Sequence, residues 1–248
     1  MKISIITVCY NSAKTLQDTF DSVKSQTYTD IEYIVVDGAS TDGTLEMIQE
    51  HEAHISKWVS EPDKGLYDAM NKGIEMATGN LIGILNSDDV FMDSEVISKI
   101  AAFHWEHPEI SASTGNIIQK NEQGVTVRTY GSKNWKPEKL KIGFMPPHPS
   151  IFLKKEVYDE FGVFKTDFKI GADYEIVTRF FLKNSISWKY SGITTTSMLI
   201  GGVSSSGISS YLTISKEIQK ALLANGISFS ALKIYLRGFW KVWELVKK

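Results

Sequence analysis

Two adjacent carboxylates follow a short apolar run in the first half of the chain. The run at residues 81–85 is followed by Asn86, Ser87, Asp88 and Asp89. A hydrophobic strand that delivers carboxylates into a loop can hold a hard divalent cation beside phosphate oxygens. An acid at the end of a strand also commonly stabilises a turn or the start of a helix. Taken alone, the segment fits either a cation site or an ordinary turn.

A second acidic segment, at residues 35–43, combines carboxylates with glycines. Asp37 stands at the end of an apolar run and can accept hydrogen bonds from the edge of a base or a ribose. Gly38 and Gly43 let the backbone approach a ligand closely. The same residues also describe a turn followed by a capped helix, so this segment has two interpretations as well.

Residues 61–73 form a third polar segment, in which helical spacing gathers charged and amide side chains. Lys64 precedes a predicted helix, and Asp68, Asn71 and Lys72 share one of its faces. Such a face can bind phosphates and sugar hydroxyls through charge-assisted hydrogen bonds. The alternative is a helix surface whose charges are only solvated.

Alternating strand and helix patterns in the first third of the chain predict βαβ units and a mostly parallel sheet. Strands are expected at residues 3–10, 31–37, 57–60 and 81–85, and a helix at 66–77. Asn11 or Ser12 is expected to cap the first helix, and Ser94 a later one. Because ligands bind outside the carboxyl ends of parallel strands, the loops after Tyr10, Val36 and Leu85 should converge on one crevice.

The second half of the chain has a different pattern. Residues 110–120 and 125–130 alternate as strands do, and residues 121–124 form a plausible hairpin turn. A further strand is expected around residues 150–154, after a proline-rich stretch at 145–149. This half is therefore predicted to be more antiparallel.

Composition restricts the class of protein. The chain has 248 residues, of which 42% are hydrophobic, and this fits one large domain with a C-terminal appendage. A net charge of −2 gives no general electrostatic surface for nucleic acid. The single cysteine, Cys9, excludes an internal disulfide and a cysteine-rich metal site. With no signal peptide or long apolar run in the sequence, we expect a cytoplasmic protein, either free or peripheral on the inner face of the membrane.

The order and spacing of the motifs carry more information than any one of them. The chain has SIITVCYN at 4–11, VVDGASTDGT at 35–44, DKG opening the segment 63–73, and LNSDD at 85–89. With these four motifs, over about residues 1–190, it resembles glycosyltransferase family 2.

The resemblance implies an α/β fold of the GT-A nucleotide-diphospho-sugar transferase type. Such a fold has a mostly parallel central sheet flanked by helices and a smaller antiparallel part, here with a C-terminal helical tail. The implied domains are a catalytic domain at 1–200, with a nucleotide-binding half at 1–107 and an acceptor half at 108–200. Residues 201–248 would follow as a flexible segment and amphipathic helices.

The resemblance also implies an activity. A hexosyl group would move from a nucleoside diphosphate, expected to be UDP, to a hydroxyl of a saccharide or lipid-linked saccharide, with inversion at the anomeric carbon. Such transfer would serve the assembly of cell-surface polysaccharide or glycolipid. The residues carried over to donor binding are Thr7, Tyr10, Asn11, Asp37, Lys64, Asp68, Asn71, Lys72, Ser87, Asp88, Asp89 and His148.

The same resemblance implies a metal ion, Mn²⁺ or Mg²⁺, on the donor diphosphate. Asp88 would coordinate it and Asp89 would support Asp88. The sequence departs from the family pattern at Asn86, where an acid is common. A neutral amide at this position weakens the local negative field.

Asp173 is the implied catalytic base, because residues 170–175 (IGADYE) resemble the late acidic motif of the family. A base must lie within hydrogen-bond reach of the acceptor hydroxyl. The alternative role for Asp173 is that of a helix N-terminal acid stabilised by the helix dipole. Glu175 is a second candidate base. His148 would contact the diphosphate or the acceptor, unless it is a loop histidine packed on Trp or Pro.

The C-terminal residues combine apolar and basic side chains at helical spacing. The apolar positions are Phe229, Leu232, Leu236, Phe239 and Trp243, and the basic ones are Lys233, Arg237, Lys241, Lys247 and Lys248. A helix of this kind either lies on an anionic membrane surface or docks on the catalytic domain or on a second subunit of a homo-oligomer.

Two other functions use related features. A nucleotidyltransferase would have a glycine-rich loop with a basic residue directly after the first strand, where this chain has Asn11 to Lys14. A non-catalytic nucleotide-sugar-binding or membrane-associated scaffold would have no reason to keep the acids at 37, 88, 89 and 173. A processive synthase is disfavoured by the lack of a QxxRW motif.

Overall fold

The computed structural model describes residues 1–121, 123–199 and 208–237. Within them, nine strands form one mixed sheet. The strands are β1 Ile3–Cys9, β2 Ile31–Asp37, β3 Lys57–Ser60, β4 Leu81–Ile84, β5 Asp89–Phe91, β6 Ala112–Lys120, β7 Thr126–Gly131, β8 Phe152–Lys154 and β9 Trp188–Leu199. The helices are α1 Leu16–Lys24, α2 Thr44–Glu50, α3 Leu66–Met76, α4 Val96–Glu106, α5 Lys155–Phe161, α6 Ala172–Val177 and α7 Ile208–Ala224.

Three strand pairings among the first four strands create the parallel part of the sheet. The order β3-β2-β1-β4 is parallel throughout. Alternate side chains of β1 and β2 enter different cores. Ile6 and Ile34 pack in the cluster that contains α3, whereas Ile5 and Val35 pack in the cluster with α1 and α4. Burial on both faces explains why these strands are mostly apolar instead of alternating between apolar and polar residues.

The second half adds antiparallel pairing to the edge of β4. β8 is antiparallel to β4, with Gly83 opposite Phe152, and β6 is antiparallel to β8. This register places the residues just before Phe152 beside the carboxyl end of β4. β9 pairs with β6 in parallel and with β5 in antiparallel orientation, while β7 pairs with β6. The predicted mixed α/β architecture, parallel in its first half and more antiparallel in its second, is confirmed.

Some local predictions were wrong. α1 begins at Leu16 with Thr15 as its N-terminal flanking residue, and α4 begins at Val96 after Glu95, so Asn11, Ser12 and Ser94 do not cap these helices. The side chains or backbone groups of these three residues instead form hydrogen bonds with residues that are distant in the sequence. Ser94, for example, uses its carbonyl to accept the Thr27 N–H at 2.8 Å.

The longest strand, β9, was absent from the sequence prediction. Its sequence, WKYSGITTTSML, contains serine, threonine and glycine where a clear apolar alternation would be needed to identify it. Pairing with β6 on one side and β5 on the other makes it a strand. Tertiary contacts thus override a weak local signal.

The C-terminal described part packs against the rest of the domain. α7 contacts α6, and residues 231–237 are helical. No helix formed by the described residues is both long enough and apolar enough to cross a lipid bilayer. The segment Gly201 to Ser205, which the sequence analysis treats as flexible, lies outside the described residues, as do Phe239, Lys241 and Trp243.

Replacing Gly73 on α3 by alanine should destabilise the protein. Alanine would improve intrinsic helix propensity by about 1 kcal/mol. Its Cβ would lie 2.4 Å from Cγ2 of Ile6, however, and overpacking of this kind typically costs about 1–3 kcal/mol. We expect Gly73→Ala to lower the free energy of unfolding in urea. Glu75→Ala, on the exposed face of the same helix, should change it by less than about 0.5 kcal/mol; equal effects of the two substitutions would contradict the packing argument.

Candidate active site

The loops after β1 and β2 are interlocked at the carboxyl edge of the sheet. Asn11 accepts the Thr41 N–H on its side-chain oxygen at 2.9 Å, and its own N–H bonds the Ser40 hydroxyl at 2.8 Å. The Ala13 N–H bonds the Asp42 carboxylate at 3.1 Å. Asn11 has a φ of 50°, in the left-handed region that asparagine tolerates better than most residues. Its side chain therefore organises the loops.

The loops after β3 and β4 join the same edge. The Ser12 and Ser87 hydroxyl oxygens lie 2.9 Å apart, which links the β1 and β4 loops. The Ser60 hydroxyl, at the end of β3, donates to Asp37 at 2.6 Å. The predicted convergence of the loops after β1, β2 and β4 is confirmed, and the β3 loop joins them.

Asp37 is completely buried beneath these loops. Its carboxylate accepts the Ser40 N–H at 3.0 Å together with the hydroxyls of Ser40 and Ser60. Thr7 is equally buried and accepts the Tyr33 hydroxyl at 3.1 Å. Both residues support the loops from below, and a direct nucleoside contact by either of them stays a prediction.

Tyr10 and Asp63 both approach Gly38, the residue after Asp37. The ring of Tyr10 is 66% exposed beside Gly38. A Cβ on Gly38 would lie 2.4 Å from a carboxylate oxygen of Asp63 and 3.3 Å from the Tyr10 ring. Glycine at position 38 therefore lets the Asp63 carboxylate and the Tyr10 ring come close together, and an exposed aromatic ring beside a carboxylate suits a flat, hydrogen-bonding ligand such as a base. Asp63 was not among the candidate residues predicted from the sequence, because its neighbour Lys64 was chosen from this motif as the residue that could bind phosphate.

Asp88 and Asp89 have different environments. Asp88 is exposed, whereas Asp89 begins β5 and is 1% exposed. Burial, and then the charge of Asp88, raise the pKa of Asp89 well above its ordinary value. Asn86 donates to one Asp89 oxygen at 3.3 Å, and the other Asp89 oxygen and the Asn86 side-chain oxygen have no hydrogen-bond partner within the described residues. Buried oxygens without donors are suited to a bound cation.

The number of protein ligands is small. No cluster of three His, Cys, Asp or Glu side chains arranged to bind a metal occurs in the described part of the chain. Mg²⁺ in particular usually takes one or two carboxylates and completes its shell with substrate phosphates and water. The donor set at 86–89 fits a metal shared with a diphosphate better than a metal held by protein alone.

The polar face of α3 is largely occupied by contacts within the protein. Lys72 forms an ion pair with Glu61 at 2.8 Å. Asp68 accepts the Lys64 N–H at 3.1 Å. The Asn71 amide bonds both backbone groups of Phe164, at 2.8 and 2.9 Å. These side chains fix the loops on either side of α3, and their direct contact with a donor stays a prediction.

A groove lies between the start of α3 and the loop that precedes α6, and Lys64 lines it. The groove has a volume of about 220 Å³, and its lining residues are Lys64, Gly65, Leu66, Tyr67, Asp68, Thr166, Phe168 and Lys169. It joins the two halves of the predicted catalytic domain. The amino end of α3 therefore faces the segment that leads to Asp173.

Asp173 lies in the first turn of α6, close to Tyr67. The Tyr67 hydroxyl donates to the carbonyl of Ile170, and its pKa is raised by burial and then by the charge of Asp173. The Asp173 carboxylate is half-buried and accepts the Tyr174 N–H at 2.7 Å. Burial raises the pKa of Asp173 to about 6. A carboxylate with a pKa near 6 is a more effective base at neutral pH than an ordinary aspartate.

His148 packs on an aromatic residue. Its ring meets Phe164 edge-on, with centroids 5.8 Å apart, and Phe164 stacks on Tyr67 at 5.7 Å. Burial lowers the pKa of His148 to about 4, so the imidazole is neutral at pH 7. The environment resembles the packed-histidine alternative, with phenylalanine in place of Trp or Pro, and a diphosphate contact by His148 stays a prediction.

Similarity to known proteins agrees with this arrangement. The model of the family described as "Glycosyl transferase family 2" matches residues 4–161. The chain belongs to glycosyltransferase family 2. A Mycobacterium bovis protein named "PGL/p-HBAD biosynthesis glycosyltransferase" is 27% identical over 223 residues, covering 88% of this chain and 83% of that protein. An uncharacterised glycosyltransferase of Mycobacterium tuberculosis is 34% identical over 180 residues, covering 71% and 68%.

Solved structures support the same fold. Residues 1–349 of Staphylococcus aureus TarS in complex with UDP-GlcNAc superpose with a TM-score of 0.71 at 20% identity, covering 96% of this chain and 71% of that one. The mannosyltransferase PcManGT from Pyrobaculum calidifontis, in complex with GDP-Man and Mn²⁺, gives a TM-score of 0.63 at 17% identity, covering 98% and 80%. The predicted GT-A fold is confirmed.

In this family 2 glycosyltransferase, Glu175 is a structural residue. It is completely buried and pairs with Arg179 at 2.9 Å and Lys165 at 3.0 Å, while Asn225 donates to it at 3.2 Å. Arg179 in turn donates to the carbonyls of Gly162 and Val163. Its selection as a second candidate base was wrong, because an inaccessible carboxylate held by two cations cannot take a proton from a substrate.

Glu175→Ala should lower stability. Removing one partner of a buried ion pair typically costs about 3–5 kcal/mol, because the remaining charge is buried without compensation. We expect a fall of this order in the free energy of unfolding, measured in urea. Glu156→Ala on α5, whose side chain is 70% exposed, is the control and should change it by less than about 0.5 kcal/mol. A Glu175→Ala protein of unchanged stability would contradict the structural role.

Proposed function

We propose that this glycosyltransferase moves a sugar from a UDP-sugar to an acceptor hydroxyl with inversion, and that Asp173 is the base. The observation that carries the proposal is the position of Asp173. It is the first acid of α6, has a raised pKa, and stands beside Tyr67, which lines the groove at the amino end of α3. The loops at the carboxyl edge of the sheet supply the proposed donor subsite.

The donor is proposed from the position of Tyr10 and Asp63 beside Gly38 and from the structural neighbours. Tyr10 and Asp63 flank Gly38, and together they offer an aromatic face and an acceptor for the N–H group of uracil. TarS has been solved with UDP-GlcNAc and with UDP. PcManGT has been solved with GDP-Man, so GDP-sugars belong in the test as competitors.

A divalent metal fits the residues at 86–89. Asp88 would be its accessible ligand, with Asp89 and the Asn86 oxygen behind it. When bound, Mn²⁺ or Mg²⁺ would neutralise charge on the diphosphate and so help UDP to leave. Lys64, exposed at the rim of the groove, would add a positive charge that needs no metal.

The reaction itself would be one displacement. Asp173 accepts the proton of the acceptor hydroxyl as its oxygen attacks the anomeric carbon, and the bond from that carbon to the UDP oxygen breaks on the opposite face. A single attack from the opposite face inverts the configuration. The groove beside Tyr67 would hold the acceptor, which places its hydroxyl next to the carboxylate.

The class of acceptor molecule is proposed from the names of two relatives. One is named for "PGL/p-HBAD biosynthesis", and another, from Staphylococcus epidermidis, is a "Poly-beta-1,6-N-acetyl-D-glucosamine synthase" that is 34% identical over 125 residues and of which this chain covers 30%. We therefore propose a saccharide or lipid-linked saccharide as acceptor. A non-catalytic scaffold with the same fold is the alternative, and it would release no UDP.

The first test is release of nucleoside diphosphate from a panel of UDP- and GDP-sugars with acceptor saccharides, with Mn²⁺ and with chelator. We expect turnover with a UDP-sugar, loss in chelator, and a kcat/KM that falls as pH drops through about 6, because Asp173 must be deprotonated to act. Asp173→Asn should lower kcat by about 10²–10⁴-fold and leave UDP binding unchanged.

Asp159→Asn, an exposed acid on α5, is the matched control and should keep normal turnover. Full activity in Asp173→Asn would remove Asp173 from the base role. If the wild-type protein releases no nucleoside diphosphate from any donor in the panel, the non-catalytic scaffold would be favoured.

The C-terminal helix is proposed to contact an anionic membrane surface with one face. Leu232 is 68% exposed and Leu236 39% exposed, whereas Ile234 is buried. Arg237 does not belong to this exposed face, and its contacts are those expected from the alternative in which the helix docks on the catalytic domain. It is 4% exposed, lies over the Tyr211 ring at 4.6 Å and donates to Ser215 at 3.0 Å.

Flotation with vesicles tests the membrane contact. We expect the full chain to bind vesicles containing anionic lipid more strongly than neutral ones, because exposed leucines beside lysines suit a negatively charged interface. Leu232→Glu combined with Leu236→Glu should lower the bound fraction several-fold. Val127→Glu, at an equally apolar exposed position on β7, should not. Equal binding by both variants would contradict the proposed surface.

A further inference from the structure

Glu217 on α7 binds the backbone that leads into α6. Its carboxylate accepts three consecutive backbone N–H groups, from Lys169 at 2.6 Å, Ile170 at 2.9 Å and Gly171 at 2.8 Å. The approach is close, because a Cβ on Gly171 would lie 3.0 Å from the Cβ of Glu217. One side chain thus satisfies three consecutive backbone donors in the turn that precedes the helix.

The same turn is held from the opposite side by α3. Ile170 offers its N–H to Glu217 and its carbonyl to the Tyr67 hydroxyl. The first hydrogen bond of α6 runs from the Glu175 N–H to the Gly171 carbonyl at 3.0 Å. Asp173 therefore lies in the first turn of α6, and Gly171, the residue before this helix, is held by Glu217.

A neighbouring residue of α7 anchors the start of this loop. Lys220 forms an ion pair with Asp167 at 2.7 Å and lies 4.2 Å from the centre of the Phe168 ring. Phe168 and Lys169 line the groove assigned to the acceptor. α7 thus holds both the wall of the groove and the backbone that carries Asp173.

We propose that Glu217 is a positioning residue for the transfer reaction: by accepting the N–H groups of residues 169–171, it fixes the turn from which Asp173 reaches the acceptor. The proposal rests on the assignment of Asp173 as the base. A small displacement of a catalytic group can lower the rate by about 10²-fold, so a fixed turn has a direct kinetic consequence.

The charge of Glu217 supplies a readout that a purely structural role would lack. Burial is the larger cause of the raised pKa of Asp173, and repulsion by Glu217 raises it further. The titratable groups around Asp173 are Tyr67 on α3 and Glu217 on α7, and Lys64 and Lys169 line the adjoining groove. Removing the Glu217 charge should lower the pKa of Asp173, so the acidic limb of the pH–rate profile should move to lower pH.

The test uses Glu217→Gln in the full chain with the donor and acceptor that support wild-type turnover. We expect kcat to fall by about ten- to a hundredfold, the donor KM to stay unchanged, and the acidic limb of kcat/KM to move to lower pH. Glu217→Asp keeps the charge with a shorter reach, and should lose kcat but keep the acidic limb in place. Lys216→Gln, at the exposed neighbouring position of α7, should leave all three measurements unchanged.

The outcomes separate this inference from the assignment of the base. Wild-type kcat and pH profile in Glu217→Gln, alongside an inactive Asp173→Asn, would overturn the positioning role and leave the base intact. An active Asp173→Asn would overturn the base itself. A lower melting temperature with proportional loss of activity and an unmoved acidic limb would show that Glu217 only stabilises the fold. If Glu217→Gln does not fold, Glu217→Asp decides, and a wild-type kcat in that variant overturns the proposal.

Discussion

Parallel pairing of the first four strands is the constraint on which the rest of the site depends. Because β3, β2, β1 and β4 run in one direction, their carboxyl ends meet at one edge, and the polar loops that follow them must meet there too. Side-chain hydrogen bonds then lock the loops together: Asn11 accepts the backbone N–H of Thr41, and the hydroxyls of Ser12 and Ser87 bond each other. The buried Asp37 lies beneath this network.

Environment distinguishes acids that look alike in the sequence. Asp37 is buried among hydrogen-bond donors, Glu175 is buried between cations, and Asp173 is half-buried with few compensating groups. Although burial alone would raise it, pairing with Arg179 and Lys165 holds the pKa of Glu175 below its ordinary value, whereas desolvation raises the pKa of Asp173 to about 6. Asp88 stays exposed at the loop tip, where a cation and its phosphates have access. Four carboxylates of ordinary chemistry thus have four different environments.

The C-terminal part of the chain is joined to the catalytic part by polar contacts in addition to apolar packing. Asn225 donates to the buried Glu175, Arg237 lies against α7, and Glu217 binds the loop before Asp173. Each contact satisfies a buried or partly buried polar group. Separating α7 from α6 would therefore leave several polar groups without their hydrogen-bond partners. A helix that looks like an appendage in the sequence is therefore part of the framework of the site.

The sequence by itself determined the family, the parallel half of the sheet and the identity of the polar loops, since these depend on local patterns: continuous apolar runs, helical spacing, and motifs in a fixed order. It also led to the predictions that Asp88 is a metal ligand and Asp173 the base. Only the tertiary structure revealed β9, the partnership of Gly38 with Asp63, the burial of Asp37, Glu175 and Arg237, and the contact of Glu217 with the turn before Asp173. These features join residues far apart in the chain, and burial and charge environment arise only when distant segments pack. No local pattern of residue types carries that information.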